Sequence, residues 1–121
     1  MEWKLTDGRP IWQQLTEQIT LRILKGEYPP GGRLPAVRDL AVQAGVNPNT
    51  MQRALAQLEQ DGLAVSSRTA GRSVTEDAAI IQEARRKRAR EAVAQCLQIL
   101  ADLGYTREEA VALLKEEWEN E

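Results

Sequence analysis

Hydrogen-bonding side chains are concentrated on one short segment near the middle of the chain. Met51, Leu55 and Leu58 recur there at helical spacing, so one face of the segment is apolar. The positions between them carry amides, a hydroxyl and an arginine, at Asn49, Thr50, Gln52, Arg53 and Gln57. Such side chains donate and accept hydrogen bonds with little net charge, as the edges of bases require. The pattern predicts a helix whose outer face suits contact with DNA bases.

Other chemistry has few residues to work with. The chain contains no histidine and one cysteine, which removes most metal-ligand sets and nearly all pairs of nucleophile and base. We therefore predict no catalytic residues, no metal site and no cofactor. Cys96 lies in an apolar periodic run with Leu97, Ile99 and Leu100, so we expect a buried core thiol.

Charge is distributed unevenly along a chain whose net charge is −2. Residues 1–75 carry nine Lys/Arg against seven Asp/Glu, or +2, and residues 76–121 carry seven against eleven, or −4. The first part is thus the better candidate for contact with an anionic polymer. The densest basic run, Arg85–Arg88 with Arg90, is interpreted as a solvated face, although it could also pair with acidic groups of a partner subunit or touch flanking phosphates.

Three helices are expected to position the polar segment. The first begins with Pro10 at its first helical position, carries Ile11, Leu15, Ile19 and Ile23 at intervals of four, and ends near Lys25-Gly26. The second follows Pro35, and the connection Gly45–Pro48 leads to the third. Asn47 is placed to cap the third helix by accepting from the N–H of Asn49 or Thr50. The residues expected to hold the second and third helices against the first are Val37, Leu40, Ala41, Met51, Leu55 and Leu58.

Two weaker strand signals follow the third helix, which ends at Asp61-Gly62. Residues 63–65 are apolar, and Val74 lies beyond a polar loop that contains a glycine, which favours a β-hairpin. Arg68 and Arg72 fall near the ends of this hairpin, where they either contact DNA or are solvated. The order of three helices and a hairpin predicts a winged helix-turn-helix, a mostly α fold with a small β-hairpin.

A two-helix tail completes the predicted architecture. One long helix is expected from Asp77 to about Leu103, where Gly104 stops it, and a capping box at Thr106–Glu109 starts the second. Two helices have too little mass for a ligand-binding domain, yet they carry more apolar surface than a helical hairpin can bury. We therefore predict a DNA-binding domain at 1–76 and a dimerisation tail at 77–121.

Three segments resemble the DNA-binding domain of GntR-type bacterial transcription regulators: PIWQQLTEQI at 10–19, ILKGEYPPGGRLPAVRDLA at 23–41 and GVNPNTMQRALAQLEQDGL at 45–63. The short tail is similar to that of the YtrA-like subfamily. The resemblance implies operator contacts by Arg38 and Arg53, and phosphate or base contacts by Arg33, Asn47, Asn49, Thr50 and Gln52. It also implies a minor-groove approach by Gly71 at the wing tip. Thr69 and Ser73 depart from the glycine and aromatic usual in the wing, and Ala36 replaces a serine cap.

The function implied is that of a homodimeric transcription regulator that binds double-stranded DNA sequence-specifically, as a repressor on a palindromic operator. Relatives of the subfamily often control transporter operons, so the resemblance suggests a transporter operon here. The sequence does not specify an effector. We expect a cytoplasmic protein, since neither a signal peptide nor a membrane-spanning segment is evident. The alternative is a winged-helix module that binds other proteins, which the slight overall acidity and the altered wing would favour.

Overall fold

The computed structural model describes residues 2–120, which form five helices and one two-stranded antiparallel sheet. In chain order the elements are α1 (Ile11–Leu24), α2 (Val37–Ala44), α3 (Pro48–Gln60), β1 (Ala64–Ser67), β2 (Gly71–Val74), α4 (Ala78–Asp102) and α5 (Arg107–Glu119). The chain divides into two compact units between Ala84 and Arg85, inside α4. The predicted winged helix-turn-helix followed by two helices is confirmed. Within residues 2–120, no helix combines the length and apolarity needed to cross a membrane.

The core of the first unit lies where α1, α2 and α3 meet. Leu15 and Ile19 of α1 are fully buried in a cluster that also contains residues of α2 and α3. The six residues predicted to pack α2 and α3 all join this core, with Val37 partly buried and the others buried: Val37, Leu40, Ala41, Met51, Leu55 and Leu58. Burial of each leucine is worth about 1.5–3 kcal/mol relative to exposure. Since this energy fixes the inner face of α3, its polar face is directed to solvent.

The first helix starts one residue later than predicted. Pro10 occupies the N-cap position with φ −53° and ψ 133°, and its carbonyl accepts from the N–H of Gln14 at 3.3 Å. The placement of Pro10 at the first helical position was therefore wrong. A fixed φ near −60° fits both positions, and the extended ψ of Pro10 excludes it from the helix.

The connection between α2 and α3 follows its local signals. Gly45 ends α2 in the left-handed conformation, at φ 70° and ψ 37°, where a side chain would be strained. Two residues later the Oδ1 atom of Asn47 accepts from the N–H of Asn49 at 2.7 Å, and Pro48 opens α3. The predicted cap is thereby confirmed.

The N-terminal arm lies along α1. Trp3 and Leu5 pack partly buried against the core. Gln14 and Gln18, one helical turn apart, hold the arm through paired backbone hydrogen bonds to Thr6 and Lys4. The arm is thus anchored at two points by amide side chains.

The wing is a short hairpin joined to a third segment of chain. Its register pairs Ala64 with Val74 and Ser67 with Gly71, around a turn at residues 68–70. The segment 31–34 runs along β2, where the N–H of Val74 donates to the carbonyl of Gly32 at 2.9 Å and that of Leu34 to Arg72 at 2.9 Å. These bonds attach the wing to the chain that enters α2.

The second unit contains most of α4, from Arg85 onward, and all of α5. Gly104, at φ 90°, separates the helices, and α5 starts with the predicted capping box. In this box the N–H of Glu109 donates to the Thr106 hydroxyl at 3.2 Å, and the N–H of Thr106 donates to the Glu109 carboxylate at 2.9 Å. Many large apolar side chains of the unit are exposed, namely Val93, Leu97, Ile99, Leu103, Tyr105, Val111, Leu114 and Trp118.

The prediction of a buried Cys96 was wrong for the single chain. The thiol is only partly buried, and Leu97 and Ile99 beside it are exposed. Apolar periodicity identifies a face that avoids water, but one helical hairpin has no further layer to cover that face.

Candidate nucleic-acid interface

The outer face of α3 presents the predicted polar side chains. Asn49, Gln52 and Arg53 are exposed, and Thr50 is partly buried. Met51, Ala54, Leu55 and Leu58 lie on the opposite face in the core. The helix therefore offers amide and guanidinium groups outward while its position is fixed by packing.

Asn47 stands at the start of this face and is exposed. Its Oδ1 atom accepts the hydrogen bond of the helix cap, and its amide nitrogen carries two donors for another partner. A structural role for Asn47 is thus visible beside the DNA contact that was predicted for it.

Arg53 stacks on an aromatic side chain that the sequence did not single out for function. The Cζ atom of its guanidinium lies 4.3 Å from the centroid of the Trp12 ring. Trp12 is the second residue of α1. The contact between Trp12 and Arg53 arises because α1 packs on α3. The residue pattern of either helix alone does not predict this contact.

Arg33 and Arg38 flank the start of α2 and are both exposed. The backbone of Arg33 forms a β-bridge with Ser73 of the wing. Its guanidinium lies close to Gly71, since a Cβ atom added to that glycine would be 3.6 Å from Nη2 of Arg33. Arg38 is the second residue of α2. Among residues 2–120, no ion pair or side-chain hydrogen bond engages the guanidinium of Arg38.

A cleft separates the wing from the start of α2. Its volume is about 370 Å³, and it is lined by Arg33, Leu34, Pro35, Ala36, Val37, Ser66, Ser67, Gly71 and Arg72. Three of the predicted site residues, Arg33, Gly71 and Arg72, meet there. Gly71 opens β2 directly after the turn, so the residues of the turn itself are Arg68, Thr69 and Ala70.

The two arginines of the wing differ in their surroundings. Arg68 lies exposed in the turn, and in the described part of the chain its side chain has no ion-pair partner. Arg72 is mostly buried, and its Nε atom lies 2.6 Å from Oε1 of Glu59 on α3. The same carboxylate oxygen accepts a hydrogen bond from the Ser66 hydroxyl.

Glu59 thereby joins the wing to α3. The hydrogen bond from Ser66 and then that from Arg72 hold the pKa of the Glu59 carboxyl below its ordinary value. No motif pointed to Glu59, because its partners lie seven and thirteen residues away in a hairpin whose register is set by the fold. The residue positions one predicted site residue, Arg72.

These features define a winged helix-turn-helix with an exposed amide and arginine face, the arrangement of a DNA-binding domain. Residues 12–74 match the family described as "Bacterial regulatory proteins, gntR family". The chain belongs to this family.

Named relatives agree with the assignment. The chain is 35% identical over 115 residues to the uncharacterized HTH-type transcriptional regulator YhcF of Bacillus subtilis, covering 95% of each chain. It is 39% identical over 69 residues to the HTH-type transcriptional repressor YtrA of the same organism, covering 57% of this chain and 53% of YtrA. A solved GntR family transcriptional regulator from Listeria monocytogenes superposes with a TM-score of 0.85 at 32% identity, covering 93% of this chain and 98% of that one. The protein is a DNA-binding transcription regulator; its family and relatives are regulators and not enzymes.

Proposed function

We propose that the protein is a repressor that binds a palindromic operator as a homodimer, with α3 in the major groove of each half-site. The observation that carries this proposal is the outward polar face of α3, where Asn49, Gln52 and Arg53 are exposed beside a buried apolar face. Arginine pairs with guanine or phosphate, and asparagine or glutamine pairs with adenine. Arg33, Arg38, Asn47 and Thr50 complete this surface, and Arg68, Gly71 and Arg72 add the wing.

The exposed apolar side chains of the second unit support the homodimer. Leu97 and Leu114 are 43% and 42% exposed, and such surface is normally covered by a partner. A two-fold dimer matches a palindromic site because each subunit meets one half-site. In this proposal residues 1–76 bind DNA and residues 77–121 dimerise. Repression is supported by the similarity to the repressor YtrA, and a transporter operon by the resemblance to its subfamily.

Selection from a random DNA pool tests the DNA-binding part of the proposal. The full chain should enrich a palindromic sequence and shift it in gels in a salt-sensitive manner that resists competitor DNA. Arg53→Ala and Arg38→Ala should each weaken this binding by about 1–3 kcal/mol, or about 5- to 150-fold. Arg107→Ala, which removes the same charge from α5, is the matched control.

Two results would contradict the proposal. Enrichment of no sequence, with no competitor-resistant shift, would favour the protein-interaction module instead. If both arginine variants bound the selected duplex as tightly as the parent, the site assignment would be wrong.

Sedimentation of the full chain tests the dimer. Leu97→Asp should shift the chain to monomer at micromolar concentration, because a carboxylate in an apolar interface is costly. Gln95→Asp on an exposed position of the same helix should leave the dimer intact. A parent chain that sediments as a monomer, or an unchanged dimer in Leu97→Asp, would argue against this interface.

A further inference from the structure

The contact between Trp12 and Arg53 joins a residue of α1 to the polar face of α3. The guanidinium Cζ lies 4.3 Å from the indole centroid, well inside the range of cation–π attraction. Trp12 is partly buried and Arg53 is exposed. Among residues 2–120, no ion pair or side-chain hydrogen bond holds the Arg53 guanidinium, so the indole is the contact that orients it.

This geometry restrains the arginine without using its hydrogen-bond donors. When a guanidinium stacks face to face on an indole, the ring covers its flat face and the N–H groups point outward in the plane. Those edges stay available for the two parallel hydrogen bonds that guanine or phosphate accepts. A long side chain held in this way loses less conformational freedom on binding than a free one.

A second arginine–tryptophan pair lies elsewhere in the first unit, with its arginine buried. Arg22 stacks on Trp3 at 3.7 Å, but Arg22 is only 2% exposed. That stack lies beneath the N-terminal arm and presents no guanidinium edge to solvent. The two pairs therefore differ in the exposure of the arginine. The contact with Trp12 leaves Arg53 accessible to a ligand, whereas the contact with Arg22 packs Trp3 of the N-terminal arm against α1.

We propose that Trp12 is a positioning residue for DNA recognition, which orders the Arg53 guanidinium on the surface of α3 before DNA binds. The proposal rests on the proposed function, in which Arg53 contacts DNA. It assigns to α1 a part in recognition beyond its role as core scaffold. Arg38 stacks on no such ring in the described structure, so the effect belongs to Arg53.

A double-mutant cycle on the full chain tests the proposal. The probe is the duplex that the parent chain enriches from a random pool, and the variants are Trp12→Leu, Arg53→Ala and the double variant. Trp12→Leu should weaken binding about 3- to 10-fold, the size expected for a stack at a partly exposed site. In the Arg53→Ala background the same change should have less than about a 2-fold effect, because the partner is already absent.

Aromatic replacements guard against a loss that comes from folding. Trp12→Tyr and Trp12→Phe keep a ring face at the site, so they should bind more tightly than Trp12→Leu in the parent background and equally in the Arg53→Ala background. Trp3→Leu, which removes the buried stack, is the matched control and should leave the effect of Arg53→Ala unchanged. Thermal unfolding of every variant confirms that binding is measured on folded protein.

The possible outcomes are distinct. Equal losses from Trp12→Leu with and without Arg53 would indicate a structural role and overturn the proposal, as would parental affinity in Trp12→Leu. In either case a weakened Arg53→Ala would leave the proposed function standing. Parental affinity in Arg53→Ala would overturn both the contact and its positioning.

Discussion

Glu59→Gln should loosen the wing while leaving the three-helix core intact. The Glu59 carboxylate on α3 accepts hydrogen bonds from Arg72 Nε at 2.6 Å and from the Ser66 hydroxyl, one partner from each strand of the wing. Glutamine keeps the shape and one acceptor oxygen but loses the charge. The substitution therefore removes the ionic part of the link and little else.

The magnitude follows from the exposure of the pair. The Glu59 side chain is 32% exposed and that of Arg72 is 20% exposed, so water screens the charges in part. A hydrogen bond to a charged group is worth about 1.5–3 kcal/mol, and an exposed ion pair about 0.2–1 kcal/mol. We take about 0.5–1 kcal/mol for this pair, nearer the exposed limit, which corresponds to an opening equilibrium raised about 2- to 5-fold.

Amide hydrogen exchange measures this effect directly. The amides of residues 64–74 should exchange about 2- to 5-fold faster in Glu59→Gln, and those of α1 at the parental rate. Arg72→Ala should accelerate exchange less in the Glu59→Gln background than in the parent, because the ionic part of the link is already absent there. Unchanged exchange in the wing of Glu59→Gln would refute the assignment of this pair as its anchor.

The pH dependence has a defined sign. The pKa of Glu59 is lowered below its ordinary value of 4.5 in the folded protein, so its contribution to stability is present above that value. The contribution is lost as the pH falls through the lowered pKa, where the carboxylate takes up a proton. Exchange in the parent wing should therefore approach that of Glu59→Gln as the pH falls through the lowered pKa, and a difference that persists once the carboxyl is protonated would contradict the linkage.

Substitutions at three further positions test the local structure. Asn47→Ala should lower the free energy of unfolding by about 1 kcal/mol. Asn47→Asp should keep the cap but weaken DNA binding, since a carboxylate would face phosphates. A loss of stability in urea unfolding, or parental affinity in gel shifts, would contradict the expectation for Asn47→Asp. Leu55→Ala should cost about 2–5 kcal/mol in urea unfolding because the side chain is fully buried, and a loss under about 1 kcal/mol would contradict that packing. Thr106→Ala should cost about 1 kcal/mol and speed amide exchange at the start of α5, whereas Thr106→Ser, which retains the hydroxyl, should match the parent.

The features that the sequence predicts best depend on neighbours within one helical turn. The cap at Asn47, the stop at Gly45 and the capping box at Thr106 each involve groups at most four residues apart. Their geometry is therefore written in consecutive residues. The error at Pro10 is of the same local kind, because proline suits two adjacent positions and only ψ distinguishes them.

The candidate site was predicted less completely because its side-chain contacts join distant segments. Periodicity showed which face of α3 is polar, but it did not show that Trp12 lies under Arg53 or that Glu59 binds Arg72. Those contacts depend on how helices cross and where a hairpin folds back. Cys96 illustrates the reverse case, since its apolar pattern was visible in the sequence while the thiol is only partly buried among the described residues.

Two contacts that the sequence did not reveal connect α3 to its neighbours: Trp12 with Arg53 and Arg72 with Glu59. Both bear on DNA recognition. Arg53 near the middle of α3 contacts α1, and Glu59 near the end of α3 holds the wing. A shift of α3 within the core would therefore move both Arg53 and the wing hairpin, the two parts of the surface that we propose to contact DNA. Leu55, fully buried midway between these two residues, fixes the helix that carries them. Substitutions that disturb the packing of Leu55 should weaken specific DNA binding even when the domain stays folded. Recognition needs Arg53 and the wing in their correct relative positions, whereas folding requires only that the core stay packed.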